Sequence, residues 1–165
     1  MSSTNRIEYA SAAYFDSFYK ALDGVANEKI YIEMISAPEF EKVCEFQRKL
    51  IANNWPVFYA VEGDNVVGWA DITPSSNPRL SHRGFLGMGI LKSHRGQGLG
   101  TQLLQAALGH AKKIGLEKVE LSVYSENFAA IALYKKVGFQ QMGFVKNYRK
   151  LEGRYFNAIE MEIFL

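Results

Sequence analysis

The N-terminal third of the chain carries two stretches in which apolar residues recur every three or four positions. Ala12–Asp23 is the first stretch, and Gly24 is predicted to end its helix. The second helix is predicted to open at Ser36–Glu39, whose serine is the expected N-cap, and its apolar stripe runs to Ile51. A short predicted strand, Arg6–Tyr9, precedes both. The pattern therefore predicts one strand followed by two amphipathic helices.

From residue 57 onward the apolar period changes to that of strands. Val57–Glu62 and Val66–Thr73 are rich in β-branched and aromatic residues, and a Gly-Asp-Asn turn separates them, which predicts a hairpin. Pro74–Arg83 holds prolines, serines and an asparagine and is predicted to be a loop. Arg83–Leu91 is a further predicted strand that contains three glycines. Three strands are therefore expected in this region, two of them paired.

The second half of the chain alternates between helical and strand-like stretches. The predicted elements are a helix at Leu99–Ile114, a strand at Glu117–Val123, a helix at Asn127–Val137 and two closing strands at Phe139–Tyr148 and Tyr155–Phe164. No linker of altered composition divides them, so residues 1–165 are expected to form a single domain. This order predicts a mixed α/β or α+β fold in which helices pack on a sheet.

Length and composition limit the class of protein. The chain has 165 residues, of which 48% are hydrophobic, and this suits one domain with one core. A net charge of +2 excludes a strongly electrostatic nucleic-acid binder. Apolar runs such as Phe85–Leu91 are too short to span a bilayer, and the polar segment Met1–Arg6 lacks the apolar core of a signal peptide. A cytoplasmic protein that binds neither nucleic acid nor membrane is therefore expected.

The cysteine and histidine content argues against disulfide and metal chemistry. Cys44 is the only cysteine, so an intramolecular disulfide and a Cys-rich zinc site are both impossible. It lies on the apolar stripe of the second predicted helix and is expected to be a buried structural thiol rather than a nucleophile. His82, His94 and His110 are scattered over two loops and a helix. No metal site is therefore expected.

A glycine-rich turn between a predicted strand and a predicted helix carries the clearest chemistry. Gly96, Gly98 and Gly100 are spaced so that their backbone N–H groups can point into one concavity, and the helix adds its positive dipole end. Arg95 can add a charge-assisted contact, so the turn suits a phosphate or pyrophosphate. The chain has no Walker pattern, and neither frame of the dinucleotide fingerprint is complete. The glycine pattern alone is also compatible with a strand–helix turn that binds no ligand.

The residues of this turn and of a second segment downstream resemble a known family. Arg95–Gly100 resembles the Arg/Gln-x-x-Gly-x-Gly/Ala signature of the GCN5-related N-acetyltransferases, the GNAT superfamily. Asn127–Phe139 resembles the second motif of that family, in which an Asn begins a helix, a Tyr follows two turns later and Gly-Phe ends it. Trp55–Val61 and Val66–Trp69 resemble its early hairpin. The resemblance covers nearly the whole chain and is closest to small bacterial-type acetyltransferases that act on amines, including amino acids.

The resemblance implies a fold and a cosubstrate. The fold is a mixed, mostly antiparallel sheet of about seven strands with a splay between the two central strands, flanked by about four helices. The cosubstrate is acetyl-CoA, with its pyrophosphate on the glycine-rich turn and its pantetheine arm along the strand before it, and no metal is implied. The implied cofactor-binding residues are Met88, Gly89, Ile90, Arg95, Gly96, Gln97, Gly98, Leu99, Gly100, Thr101 and Asn127.

The implied reaction is a direct attack of an amine on the thioester in a ternary complex. Tyr134 is implied as the general acid for the departing thiolate, and the N–H of Met88 or Ile90 is expected to hold the thioester oxygen. Asn127 lies seven residues before Tyr134, so the two share a helical face. From the residues alone, Tyr134 is better interpreted as a core aromatic and Asn127 as a plain N-cap.

The general base and the acceptor stay open. Members of the family that the chain resembles often place a carboxylate on the strand Phe85–Ile90, which has no acidic residue here, so Asp71 and Glu33 are the candidate bases. A water-mediated route and an amine that arrives neutral are the alternatives, since Asp71 also suits a hydrogen-bonding role on a strand and Glu33 a solvated surface position. The acceptor is expected to be a primary amine of a small molecule or a peptide. The resemblance implies an acceptor pocket built by the first two helices and by loops, here around 31–38 and 74–83, with Tyr31, Glu33, Trp69 and Asp71 as its expected lining.

Two other functions remain open on the sequence. A non-catalytic acyl-CoA sensor would keep the same fold and the same cofactor site. A nucleotide-binding oxidoreductase is disfavoured by the incomplete dinucleotide fingerprint. The resemblance also makes a homodimer an expectation, which composition does not test.

Overall fold

The computed structural model describes residues 5–165, so Met1–Thr4 of the polar N-terminal segment lie outside the described residues. The strands are β1 (Arg6–Tyr9), β2 (Val57–Glu62), β3 (Asn65–Pro74), β4 (Arg83–Ile90), β5 (Lys118–Tyr124), β6 (Gln140–Leu151) and β7 (Arg154–Phe164). The helices are α1 (Phe15–Ala26), α2 (Phe40–Ala52), α3 (Leu99–Lys113) and α4 (Phe128–Val137). Short 3-10 turns cover Ala12–Tyr14, Pro78–Leu80 and Lys92–His94. Within residues 5–165, no helix is both long and apolar enough to cross a membrane.

Seven strands form one sheet in the order β1-β2-β3-β4-β5-β7-β6. All neighbours are antiparallel except β4 and β5, which run parallel. The parallel pair is joined only from Arg83↔Lys118 to Phe85↔Glu120, whereas β4 stays paired with β3 as far as Ile90. β4 and β5 therefore separate after Phe85. The predicted mixed, mostly antiparallel sheet with a central splay and four flanking helices is confirmed.

The helices cover both faces of this sheet. Alternate residues of a strand point to opposite faces, so the neighbours Trp69 and Ala70 of β3 belong to different cores. α3 and α4 pack on the face that carries Ala70, where Leu103 is fully buried. α1 and α2 pack on the face that carries Trp69, and there the Phe18 ring stacks on Tyr59 with centroids 5.0 Å apart. Packing on both faces fixes the position of the central strands.

The helix boundaries in the N-terminal third differ from the prediction. α1 continues past Gly24 to Ala26. Gly24 lies inside the helix and packs closely on Leu91, whose Cδ2 lies 3.2 Å from the point where a Cβ would stand. α2 begins at Phe40 rather than at the predicted Ser36–Glu39. Neither boundary is given by the apolar spacing that predicted the two helices.

Residues 27–39 contain neither helix nor strand, and we call them the 27–39 loop. Pro38 disfavours helical backbone at the residue before it, which is one reason why the helix predicted from Ser36 does not start there. The Ala37 N–H instead donates to the Asp23 carboxylate of α1 at 2.8 Å. The loop is therefore anchored near its end by α1 while it lacks regular structure of its own.

The hairpin of β6 and β7 closes the sheet and turns at Glu152-Gly153, the turn expected from the sequence. These two residues have φ angles of +49° and +82°, the left-handed pair that a type I′ turn requires. Both strands are longer than predicted and reach this turn. A register shift between Val145 and Arg149 interrupts β6. This irregularity matters because it lies where β6 approaches the 27–39 loop.

Candidate active site

The separation of β4 and β5 opens a cavity of about 730 Å³. Its walls come from the first turn of α3, one side of α4, the diverging strands and the 27–39 loop. The lining includes Tyr31–Glu33, Phe85–Ile90, Gly98–Thr101, Leu121–Tyr124, Asn127, Leu133, Tyr134 and Tyr148. A cavity of this size with a mixed lining suits a small-molecule ligand. The glycine-rich turn, Asn127 and Tyr134, which are far apart in the sequence, thus meet around one space.

The glycine-rich turn enters α3 through two residues with left-handed backbone. Gly96 and Gly98 have φ angles of +72° and +79°, which residues with a side chain adopt only with strain. Gly98 is the N-cap of α3 and makes no side-chain cap, so the first N–H groups of the helix point outward without a capping side chain. Gly100 faces α4, because a Cβ there would lie 2.6 Å from Leu133 Cδ2. Backbone donors and a helix N-terminus together suit an anion.

The guanidinium of Arg95 is engaged on the other side of this turn. Its two terminal nitrogens donate to the Glu28 carboxylate at 2.9 and 2.5 Å, and its Nε donates to the Ile90 carbonyl at 2.9 Å. The guanidinium also lies 4.3 Å from the centroid of the Tyr31 ring. The charge that the sequence suggested for a phosphate is therefore paired with a carboxylate. The Gln97 side chain likewise turns back onto the main chain of the preceding segment.

The backbone of β4 presents polar groups to the splay. The Leu91 N–H donates to the Val67 carbonyl at 2.9 Å, so alternate residues from 91 back along β4 face β3. The N–H and C=O groups of Met88 and Ile90 then point toward β5, which does not pair with them, and of these four groups the Ile90 C=O already accepts from Arg95 Nε. A ligand in the splay can meet these groups as an added strand would.

α4 brings Asn127 and Tyr134 to the same wall of the cavity. The Asn127 side chain accepts from the Ala130 N–H at 3.2 Å, so it caps the helix. Tyr134 is 8% exposed, and its ring meets the ring of Phe139 at 5.7 Å between centroids. Burial raises the pKa of the Tyr134 phenol well above its usual range, so the hydroxyl stays protonated at neutral pH. Tyr134 thus belongs to the core and to the cavity wall at once.

A polar cluster lies where the 27–39 loop meets the hairpin of β6 and β7. The Tyr148 hydroxyl donates to the Glu33 carboxylate, and this hydrogen bond is the main reason why the pKa of Tyr148 rises to about 12. Ser122 of β5 donates to the Glu160 carboxylate at 2.8 Å. The sequence pattern did not identify Tyr148 or Glu160. The register shift in β6 beside Tyr148 has no local sequence signal, so reasoning from strand alternation does not find it.

Two more side chains complete this end of the cavity. Arg149 donates from its terminal nitrogens to the carbonyls of Lys29 and Glu33, each at 3.0 Å, and so holds the 27–39 loop on the hairpin. Tyr124 lines the cavity, and its buried hydroxyl has no hydrogen-bond partner among the described residues. Burial raises the pKa of Tyr124, so its hydroxyl remains a donor. A donor of this kind can bind a polar group of a ligand.

Trp69 was expected to line an acceptor pocket, and the structure does not bring it there. It is 5% exposed and meets the Phe18 ring edge to face at 5.6 Å, in the core between β3 and α1. Gly89 of β4 makes room for it, because a Cβ at Gly89 would lie 2.3 Å from Trp69 Cη2. The glycine that suggested a close approach to a ligand is therefore required by the indole.

Asp71 is buried one strand away from the cavity. It lies behind Gly87, and a Cβ on Gly87 would stand 3.5 Å from Asp71 Oδ1. Burial raises the pKa of this carboxyl to about 7. Of the residues expected around the acceptor, Tyr31 and Glu33 line the cavity, whereas Asp71 and the loop 74–83 do not. α1 and α2 cover the face of β3 that carries Asp71, and the sequence does not reveal which face they cover.

His94 lines the cavity, whereas Cys44, His82 and His110 do not. Cys44 is buried on α2, and desolvation raises the pKa of its thiol. The expectation that this thiol is buried is confirmed. Over the described part of the chain, no group of three His, Cys, Asp or Glu side chains is arranged to hold a metal ion.

Residues 25–139 match the sequence model of the Acetyltransferase (GNAT) family. The chain is 29% identical over 154 residues to N-alpha-acetyltransferase 30 of Saccharomyces cerevisiae, with 86% of each chain covered. It is 32% identical over 108 residues to N-alpha-acetyltransferase RimI of Mycobacterium tuberculosis, with 66% of each chain covered. A phosphinothricin acetyltransferase from Sinorhizobium meliloti, solved in complex with acetyl-CoA, has the same fold at a TM-score of 0.90 and 20% identity. That match covers 98% of this chain and 89% of the other.

Proposed function

Because the chain belongs to the acetyltransferase (GNAT) family, we propose that it moves the acetyl group of acetyl-CoA to a primary amine of a small molecule or a peptide. Two relatives, N-alpha-acetyltransferase 30 and RimI, are N-acetyltransferases by name, so the sequence prediction of an N-acetyltransferase is confirmed, and the acceptor belongs to the proposal. The predicted cosubstrate agrees with the solved relative that holds acetyl-CoA. The observation that carries the proposal is the splay of β4 and β5, which joins an anion-binding turn to a polar cluster across one cavity.

In this proposal the glycine-rich turn holds the pyrophosphate of acetyl-CoA. The N–H groups of Gly96–Thr101 donate to it, since Arg95 is already paired with Glu28. Met88 and Ile90 bind the pantetheine arm through their main-chain groups, and one of their N–H groups holds the thioester oxygen. When bound, acetyl-CoA supplies a thioester carbonyl that an uncharged amine can attack.

Tyr134 serves as the general acid of the proposed reaction. A bond forms between the amine nitrogen and the carbonyl carbon, the bond from carbon to sulfur breaks, and the sulfur takes the phenolic proton, which solvent restores. Burial keeps this phenol protonated before the reaction. Cys44 is buried in α2 away from the cavity, so the acetyl group passes directly to the amine rather than through a thiol of the protein.

The amine loses a proton during the same reaction, and Glu33 is better placed than Asp71 to receive it. Glu33 lies on the cavity wall beside Tyr148, whereas Asp71 lies behind Gly87. The proton passes to Glu33 or through water to solvent. Asp71 then takes no part in the proton transfer.

Charge at the polar cluster favours an acceptor that arrives as a cation. In the described chain Glu33 accepts from the Tyr148 hydroxyl and Glu160 from the Ser122 hydroxyl, and neither carboxylate has an ion pair. Free amines are largely protonated at neutral pH, because their pKa values lie between about 7.7 and 10.4. Two uncompensated carboxylates therefore attract such an amine before it loses its proton.

The proposal is tested by incubating the protein with acetyl-CoA and a panel of primary amines while free thiol is followed. The panel contains amino acids, polyamines and short peptides with free N-termini. We expect thiol release that depends on one class of amine, together with binding of acetyl-CoA in a calorimeter. Absence of both would refute the proposal. Binding without turnover on any amine would instead favour an acyl-CoA sensor.

A further inference from the structure

The 27–39 loop is held from two sides by arginine side chains, and one of them reaches out of the glycine-rich turn. We propose that Arg95 is a positioning residue that couples the acetyl-CoA site to the acceptor site by anchoring this loop. The inference rests on the proposed function, because it gives the turn to acetyl-CoA and the loop to the acceptor. It assigns to the signature arginine a contact within the protein in place of a contact with phosphate.

The anchor consists of three contacts from one guanidinium. Two terminal nitrogens bind the Glu28 carboxylate, Nε binds the Ile90 carbonyl, and the plane of the group covers the Tyr31 ring. Arg95 and Glu28 side chains are 29% and 23% exposed, so solvent screens the pair less than it screens a surface pair. The fork of an arginine fits a carboxylate with two parallel hydrogen bonds, which fixes orientation as well as distance.

The rest of the loop depends on other contacts that do not reach the turn. Arg149 binds the carbonyls of Lys29 and Glu33 from the hairpin side, and Lys29 pairs with the exposed Glu152 at 2.7 Å. Within residues 5–165, every hydrogen bond between the 27–39 loop and residues 92–98 comes from Arg95. The loop contains neither helix nor strand, and it also packs on the core through Tyr31 and Ile32, but the hydrogen bonds that tie it to the turn are those of Arg95 with Glu28.

The anchor joins the two sites because Arg95 belongs to both. Its main chain enters the turn that receives the pyrophosphate, and its side chain fixes Tyr31 on the wall of the cavity. A ligand that orders the main chain of the turn therefore also orders the loop. Coupling of this kind is reciprocal, so acetyl-CoA and the acceptor are expected to raise the affinity of each other.

The first test changes the two partners of the Arg95–Glu28 pair one at a time. Glu28→Gln removes the charge and keeps the shape, and Arg95→Lys keeps the charge and removes the fork. Glu152→Gln is the matched control, because it removes an exposed carboxylate that also contacts the loop, through Lys29. For the amine with the highest wild-type turnover, we expect the acceptor KM to rise about tenfold in both test variants. In these two variants the calorimetric Kd for acetyl-CoA should change by less than about twofold. In the control variant both the acceptor KM and this Kd should change by less than about twofold.

The second test needs no acceptor. Hydrogen exchange of residues 27–39 is measured by mass spectrometry with and without saturating CoA. We expect CoA to slow exchange of the loop in the wild-type protein and in Glu152→Gln, and to slow it much less in Glu28→Gln. This measurement remains informative even where a variant is less stable, because each variant is compared with itself.

The outcomes separate this inference from the proposed function. An acetyl-CoA Kd that changes more than the acceptor KM overturns the inference, because it means that Arg95 serves the pyrophosphate directly. An acceptor KM within about twofold of wild type, or loop exchange that responds to CoA equally in all variants, overturns it too. Wild-type protein that neither binds acetyl-CoA nor releases thiol refutes the proposed function instead.

Discussion

Replacement of Asp71 by asparagine is expected to stabilise the protein, by an amount that grows with pH. Asp71 is a buried carboxyl on β3, and its environment raises its pKa from about 3.8 to about 7. The folded protein therefore holds a proton that the unfolded chain releases between these two pH values. As pH rises through this range, the free energy of unfolding falls, because the native state binds more protons than the unfolded state.

The size of the effect follows from the same two pKa values. Each unit of difference is worth 1.36 kcal/mol, so ionisation of Asp71 costs the folded state about 4 kcal/mol at pH values above 7. Asp71→Asn removes the ionisable group and keeps a polar side chain of nearly the same shape. The variant should match the wild type below about pH 3, exceed it by about 2 kcal/mol at pH 5, and exceed it by about 4 kcal/mol at pH 8.

Urea unfolding followed by circular dichroism measures this difference at each pH. Asp64→Asn is the matched control, since Asp64 lies exposed in the turn between β2 and β3. The control should stay within about 0.5 kcal/mol of wild type at every pH. A difference for Asp71→Asn that is constant with pH, or that shrinks as pH rises, would contradict the burial argument.

Three further substitutions test the proposed active site. Tyr134→Phe should lower kcat in thiol-release assays about a hundredfold and leave the acetyl-CoA Kd unchanged. The control Tyr155→Phe, at the exposed start of β7, should leave kcat unchanged. Equal effects of the two substitutions on kcat would reject the role of Tyr134 as the acid. Gly98→Ala, at φ +79°, should cost about 1 kcal/mol of stability and weaken acetyl-CoA binding in a calorimeter, while Gly109→Ala in α3 should stabilise by about 0.5 kcal/mol. Tyr148→Phe should raise the acceptor KM about threefold in initial-rate assays, and a change in the acetyl-CoA Kd instead would remove Tyr148 from the acceptor site.

The parts of the site that the sequence predicted are those encoded by a few neighbouring residues. Gly96 and Gly98 adopt backbone angles that favour glycine, so their spacing already marks the turn. Asn127 caps the helix that it begins, and the seven-residue interval to Tyr134 places both on one face. The strands and helices, and their order along the chain, were predictable for a similar reason, because the hydrophobic periodicity that identifies each element is a local property.

The parts that the sequence did not predict depend on residues far apart in the chain. Arg95 pairs with Glu28, 67 residues away, and no local pattern marks that partner. α2 begins later than predicted, after a loop whose Ala37 N–H donates to the Asp23 carboxylate of α1. The sequence shows only that Trp69 is an aromatic residue on a strand. Whether its ring faces the core or the cavity depends on the packing of α1, which places it in the core.

The acceptor end of the cavity shows the same limit. Tyr148 lies within the register shift of β6 between Val145 and Arg149, so strand alternation does not indicate the direction of its side chain. Its partner Glu33 lies in a loop 115 residues away. Glu33 was selected from the sequence as a candidate, but its contact with Tyr148 emerges only when the loop and the hairpin are folded together.

The central claim is that acetyl-CoA lies across the splay of β4 and β5 with its pyrophosphate on the glycine-rich turn. A crystal structure of the protein with CoA tests this most directly. The account predicts pyrophosphate oxygens within hydrogen-bond distance of N–H groups in Gly96–Thr101, the pantetheine arm beside Met88 and Ile90, and the Arg95 guanidinium still on Glu28. CoA bound outside the splay, or a pyrophosphate held by the Arg95 guanidinium with Glu28 released, would contradict it.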